Sequence, residues 1–103
     1  MREREPCVYI ICSGKCGTLY VGVTSNLLSR IHEHRAHVVD GFAARHRIVR
    51  LVWFEQHETM EAAITCEKRI KKWNRDWKLN LIERENPEWL DLAIGLGFEP
   101  LMR

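Results

Sequence analysis

Two short apolar runs joined by a turn constrain this chain more than anything else in it. Cys7–Cys12 (CVYIIC) and Thr18–Val23 (TLYVGV) are rich in β-branched and aromatic residues, and Ser13-Gly14-Lys15-Cys16-Gly17 between them is turn chemistry. The pair is expected to form an antiparallel hairpin. A turn centred on Gly14-Lys15 would set Tyr9 opposite Tyr20 on one face, unless a bulge shifts the pairing.

The residues beyond the hairpin supply helices to cover it. Thr24 or Ser25 can cap a helix from about Asn26 to His37, with Leu27, Leu28 and Ile31 as its apolar stripe. Val38 to Arg47 is expected to be a loop around Asp40-Gly41, and Ile48 to Glu55 (IVRLVWFE) a third strand. Thr59 is placed to cap a second helix, Met60 to Trp73, and another runs on to about Glu83. Asn86 before Pro87 has the pattern of a cap and first turn for a last short helix. The order ββαβαα predicts an α+β domain, a three-stranded antiparallel sheet flanked by helices.

One domain is what 103 residues allow. Hydrophobic residues at 46% and charged residues at 29% exclude a disordered chain. No run approaches the roughly 20 apolar residues of a membrane span, and Met1-Arg-Glu-Arg-Glu is no secretory leader. A soluble, cytoplasmic protein without a membrane partner is the expectation.

The net charge of +2 is too small to name a partner, but its distribution is uneven. From Leu28 to Arg50 five arginines face two acids, and from Thr65 to Lys78 six basic residues face two acids. Beyond Leu81 five acids outweigh two arginines. Segregated positive charge attracts polyanions while an acidic tail keeps the pI moderate.

The four cysteines, Cys7, Cys12, Cys16 and Cys66, fit no zinc spacing well, although Cys12 and Cys16 flank the turn. Reduced, mostly buried thiols are expected, with no structural zinc.

The second helix carries the most informative residue. Met60, Ala63, Ile64 and Ile70 define its apolar face, and helical periodicity puts Glu67 in the middle of it. An unpartnered buried carboxylate costs several kcal/mol, on the order of the whole stability of a small domain. Glu67 must therefore be paired, protonated or turned into a cleft. An ion pair with an arginine of the first helix satisfies that requirement, and so does a Mg²⁺ ion that keeps most of its waters. In the first helix Arg30 and His34 share a face beside Leu27 and Ile31. Taken singly, each is an ordinary polar flank, and each tyrosine an ordinary core residue.

Together these positions resemble the GIY-YIG nuclease superfamily, and most closely its small stand-alone bacterial proteins. Cys7-Val8-Tyr9 matches the first signature and Tyr20-Val21-Gly22 the second, followed by Arg30 and His34 in NLLSRIHEH. Glu67 in CEKRIKKW matches the acidic position, Asn80 in KLNLI an asparagine position, and Asn86 to Leu92 (NPEWLDL) the stand-alone subgroup. Cys7 replaces a glycine, while Val8 and Val21 replace isoleucines at similar volume. The resemblance divides the chain into an extension (1–6), a nuclease domain (7–92) and a tail (93–103).

The resemblance implies a Mg²⁺- or Mn²⁺-dependent endonuclease hydrolysing DNA phosphodiester bonds, in repair, recombination or processing of structured DNA. Tyr9 or Tyr20 would help deprotonate the attacking water, and Arg30 would bind the scissile phosphate. His34 would orient the nucleophile or carry a proton, Glu67 would hold one divalent cation, and Asn80 would support the site. Arg45, Arg47, Lys68, Lys71, Lys72 and Lys78 would track the nucleic-acid backbone, whether damaged, branched or single-stranded. Trp73, Trp77 and Trp89 could stack on bases or cover the core. The rival is a nucleic-acid- or partner-binding module of the same fold with little turnover alone. Monomer and homodimer both remain compatible with the sequence.

Overall fold

The computed structural model of the chain describes residues 5–35 and 50–98. The expected loop with Arg45 and Arg47, the end of the first helix, the start of the third strand and the last five residues lie outside them. Strand β1 (Cys7–Cys12) is central, with β2 (Leu19–Thr24) on one side and β3 (Arg50–Gln56) on the other, both antiparallel to it. Helices α1 (Leu27–Arg35), α2 (Met60–Lys72) and α3 (Arg75–Glu85) complete the order ββαβαα among the described residues. This is the α+β architecture expected.

Both faces of the sheet are covered, which is why CVYIIC is apolar without alternation and buried at every position. Even-numbered β1 residues (Val8, Ile10, Cys12) join Val21, Val52 and Trp53 in one core with Ala63, Cys66 and Ile70 of α2 and Leu81 and Ile82 of α3. Odd-numbered Tyr9 and Ile11 face the other way, into a second core with Ile31 of α1, Leu51 and Ala93. A bulge in β3 between the partners of Ile10 and Ile11 makes room for both Val52 and Trp53 in the first core.

The hairpin register differs from the expected one. Tyr9 pairs with Gly22 and Ile11 with Tyr20, because the turn centres on Lys15-Cys16. The Gly17 N–H donates to Gly14 O at 2.9 Å, and Cys16 takes φ 56° at the third turn position. The shift is two residues, so Tyr9 and Tyr20 still share a face, as diagonal neighbours.

Caps explain the helix starts. Asn26, not Thr24 or Ser25, caps α1: its Oδ1 accepts from the Ser29 N–H at 3.1 Å, while Thr24 Oγ1 accepts from the Asn26 N–H at 3.0 Å. Thr59 caps α2 as expected, its hydroxyl accepting from the Ala62 N–H at 3.0 Å, and Asn74 caps α3.

The expected short helix at Pro87 is absent. Asn86 ends α3 and spends its side chain on long-range backbone instead, donating to Val52 O (3.1 Å) and Leu90 O (2.9 Å) and accepting from the Leu90 N–H (2.9 Å). Trp89 then inserts fully buried into the first core. Asp91 Oδ1 accepts from the Leu51 and Ala93 N–H groups at 3.2 and 3.1 Å, and its other oxygen pairs with Arg35 of α1. NPEWLDL is therefore a strap that ties the end of α3 to β3 and α1. Its last residue, Leu92, and Leu96 and Phe98 beyond it pack on the second core around Ala93. No helix among the described residues is long and apolar enough to cross a membrane.

Candidate active site

Tyr9, Tyr20 and His34 meet on the α1 face of the sheet. The Tyr9 and Tyr20 ring centroids are 6.4 Å apart, and His34 stands edge-on to both, at 6.0 and 5.8 Å. Tyr9 Oη and His34 Nε2 are hydrogen-bonded at 3.2 Å. Tyr9 is only 2% exposed and His34 4%, whereas Tyr20 is half-buried. Solvent therefore reaches this cluster mainly at Tyr20.

Gly22 makes the arrangement possible. A Cβ at that position would lie 2.4 Å from Tyr9 Oη and 2.5 Å from its Cζ, so the ring lies flat across the β2 backbone where any side chain would block it. Gly22→Ala should displace the Tyr9 phenol from His34 while leaving most of the core intact. The expected result is a large loss of any activity of this site with a stability change of roughly 1–3 kcal/mol. Thermal unfolding and cleavage assays on the same preparation separate the two effects.

Arg30 lies one turn before His34 on α1, partly exposed, with its Nε 3.7 Å from Glu33 Oε1. That is a loose surface pair, which leaves the guanidinium available. Burial holds the Tyr9 phenol above its ordinary pKa and Tyr20 adds to this, while the Arg30 cation works against both. Burial pushes His34 below its ordinary value, Arg30 pushes it further, and Glu33 opposes. The imidazole is therefore neutral at pH 7, and its Nδ1 is buried without a hydrogen-bond partner among the described residues.

The depressed pKa makes stability depend on pH. Below about pH 6.5, the ordinary His value, the unfolded chain gains a proton at His34 that the folded chain does not. Stability should fall on acidification from there down to the folded pKa. Urea midpoints between pH 7 and 5 should show this slope, and His34→Gln should flatten it.

Glu67 sits where periodicity required, 7% exposed in the middle of the buried face of α2. Its partner is not an arginine of α1 but Lys71 one turn on, with Nζ 2.6 Å from Oε2. The i, i+4 order, acid first, is the favourable one on a helix. α2 packs on β2 and β1 from the face opposite Tyr9, Tyr20 and His34, and β2 is an edge strand. No hydrogen bond or ion pair among the described residues joins Glu67 to the tyrosine cluster. Asn80 is exposed on α3 and bonds to none of these residues.

Of the basic residues, Lys68 and Lys72 are exposed, Lys71 is half-exposed and Lys78 intermediate. Arg75, in the same stretch, is committed to structure: it donates to Cys16 O and Gly17 O at 2.6 and 2.7 Å, holding the hairpin turn against α3. Trp77 is 56% exposed and edge-on to the partly buried Trp73 at 5.8 Å, while Trp89 belongs to the core. All four cysteines are free thiols, and burial pushes Cys7 and Cys12 up to about 11.

Sequence reasoning missed Asn86, Asp91 and Arg35 as the groups that clamp α1, and so His34, to β3. Their signal was the NPEWLDL segment, whose polar residues flank a tryptophan at a helix end.

Comparison with known proteins bears on the family and the fold. Residues 5–80 match a family model described as the GIY-YIG catalytic domain. A UPF0213 protein of Syntrophus aciditrophicus is 39% identical over 83 residues, covering 79% of this chain and 92% of the relative. One from Haloquadratum walsbyi is 36% identical over 77 residues, covering 74% and 84%. The solution NMR structure of a UPF0213 protein from Bacillus halodurans superposes with a TM-score of 0.54 at 23% identity, covering 92% of this chain and 99% of that one. That likeness bears on the fold.

Proposed function

Because the chain belongs to the GIY-YIG catalytic domain family, we propose that it is a divalent-metal-dependent endonuclease hydrolysing DNA phosphodiester bonds. The observation that carries this is the hydrogen-bonded Tyr9–His34 pair packed against Tyr20, with the Arg30 guanidinium beside it. Arg30 would bind the scissile phosphate, since a planar, permanently charged fork matches phosphate oxygens and the charge that builds on them. Tyr20 is the phenol that solvent reaches, so it would hold the attacking water. Tyr9 and His34 lie behind it, and the neutral imidazole is able to accept the proton that water loses.

Glu67 suits a divalent cation in its chemistry. One carboxylate oxygen is held by Lys71, whose side chain is 52% exposed and can swing aside, and the other has no partner among the described residues. A single carboxylate is enough for an ion that keeps several waters. Such an ion would neutralise charge on the phosphate oxygens. Lys68, Lys71, Lys72 and Lys78, with Arg45 and Arg47, would contact the DNA backbone without reading its sequence. Asn80 would support the site from behind the residues that touch the substrate. Damaged, branched or single-stranded regions are the proposed substrates, in repair, recombination or DNA processing.

One observation favours the second reading, a binding module with little turnover. Glu67 is paired with Lys71, and its helix packs on the sheet face away from the tyrosines. A panel of plasmid, flap, junction and single-stranded DNA separates the readings. The nuclease should cut at least one form with Mg²⁺ or Mn²⁺ and none with chelator. Binding that is equal with and without metal, and no cleavage of any form, would establish the module instead.

A further inference from the structure

The end of β3 gathers three metal-binding groups that the proposed reaction does not use. Glu55 and His57 are two apart along extended backbone, so they leave it on the same side. The His57 N–H donates to Pro6 O at 2.8 Å, which continues the pairing with the start of β1 and holds that backbone in place. Cys66 meets them from the buried face of α2. Glu55 Oε1 lies 3.1 Å from His57 Nε2 and accepts the Cys66 thiol at 3.9 Å. All three ligand atoms fall within 4.8 Å of one another.

A second observation points the same way. His57 Nε2 is buried and, among the described residues, has no hydrogen-bond partner, although Glu55 Oε1 stands 3.1 Å from it. Protein usually satisfies such an atom with a donor, an acceptor or a metal. Tetrahedral Zn²⁺, bound at about 2.0–2.3 Å, sets its ligand atoms roughly 3.3–3.8 Å apart. The Glu55–His57 separation falls just short of that range and the Glu55–Cys66 separation just beyond it, and rotation of the exposed Glu55 side chain adjusts both.

We propose that Glu55, His57 and Cys66 form a Zn²⁺ site, with a water in the fourth position, that ties the end of β3 to α2. A thiolate, an imidazole and a carboxylate select a soft or borderline ion over Mg²⁺. The hollow is lined further by Thr59, Glu61 and Arg69, so one added acid and one added base balance near the ion. The site does not depend on nuclease activity. Cysteine spacing concealed it, because only one ligand is a cysteine and the other two come from the strand end.

The test is titration of the purified protein with Co²⁺, read by the thiolate-to-cobalt charge-transfer absorption in the near ultraviolet, and then displacement with Zn²⁺. The absorption should saturate at one equivalent of Co²⁺ and be abolished by one of Zn²⁺, and the thermal midpoint should rise with Zn²⁺. Glu55→Gln and His57→Gln, whose side chains are not core, should each weaken binding by more than the roughly 10–100-fold that loss of a supporting partner costs. Cys66→Ser should abolish the absorption. Glu67→Gln and Cys16→Ser should leave it unchanged. Absence of the band, its persistence in His57→Gln, or its loss in Cys16→Ser would overturn the proposal.

Discussion

Arg30→Ala should lower the rate of DNA cleavage by about 10²–10³-fold while leaving the protein folded. That magnitude is typical when one donor aimed at developing anionic charge is removed. The separation of effects comes from how little Arg30 does for the fold. Its only ion pair among the described residues is with the exposed Glu33 at 3.7 Å, an interaction worth roughly 0–1 kcal/mol. Arg30 also holds down the pKa of His34, so the variant should shift any acidic limb of the pH–rate profile upward. Arg30→Lys keeps that charge but loses the bidentate fork, and should recover the pH profile better than the rate. Single-turnover rates across pH, with urea unfolding of each variant, check all three statements. An Arg30→Ala protein that unfolds would contradict the surface placement, and one that cleaves normally would remove the guanidinium from the chemistry.

Trp89→Ala should cost the most stability of any single change in the described residues. The side chain is fully buried in the first core, its Nε1–H donates to Glu83 Oε2 at 2.8 Å, and its carbonyl accepts from Arg50 at 3.1 Å. Truncating a buried tryptophan costs about 3–5 kcal/mol, a large share of the total for a domain of this size, on the order of 5–15 kcal/mol. Its backbone sits at φ 58°, a region that disfavours a bulky residue. The packing of the ring therefore outweighs backbone preference, and alanine keeps the strained φ while losing the packing. Trp89→Phe should recover more than half of the loss. A calorimetric midpoint within a few degrees of wild type for Trp89→Ala would contradict the view that NPEWLDL is a structural strap.

The hairpin, the third strand and the two main helices were legible because each is encoded locally. β-branched runs bounded by Gly and Ser, and Thr59 ahead of an apolar period, need nothing from elsewhere in the chain. Glu67 was legible for the same reason, since its position is set by Ala63, Ile64 and Ile70 alone. Its partner is equally local, four residues on at Lys71, although an arginine of the first helix was the partner expected. The register slipped by two because Cys16 accepts a positive φ that its side chain disfavours. Asn86-Pro87 misled because the same residues that start a helix can end one when the asparagine finds backbone in a distant strand. Only the fold brings Val52 to it. The tyrosine–histidine cluster was half legible: a shared face came from strand alternation, while the direct Tyr9–His34 bond depends on how Asp91 and Arg35 seat α1.

The central claim is that this surface cuts DNA with the help of Glu67, and it is tested most directly by one comparison. Wild type, Tyr20→Phe and Glu67→Ala, purified identically and shown to be folded, are incubated in single-turnover excess with the best substrate of the panel, with Mn²⁺ and with chelator. Cleavage that needs metal and falls at least about 100-fold in both variants is the expected result. Equal, metal-dependent cutting by all three would assign the activity to a contaminant or to another surface, and would contradict the account.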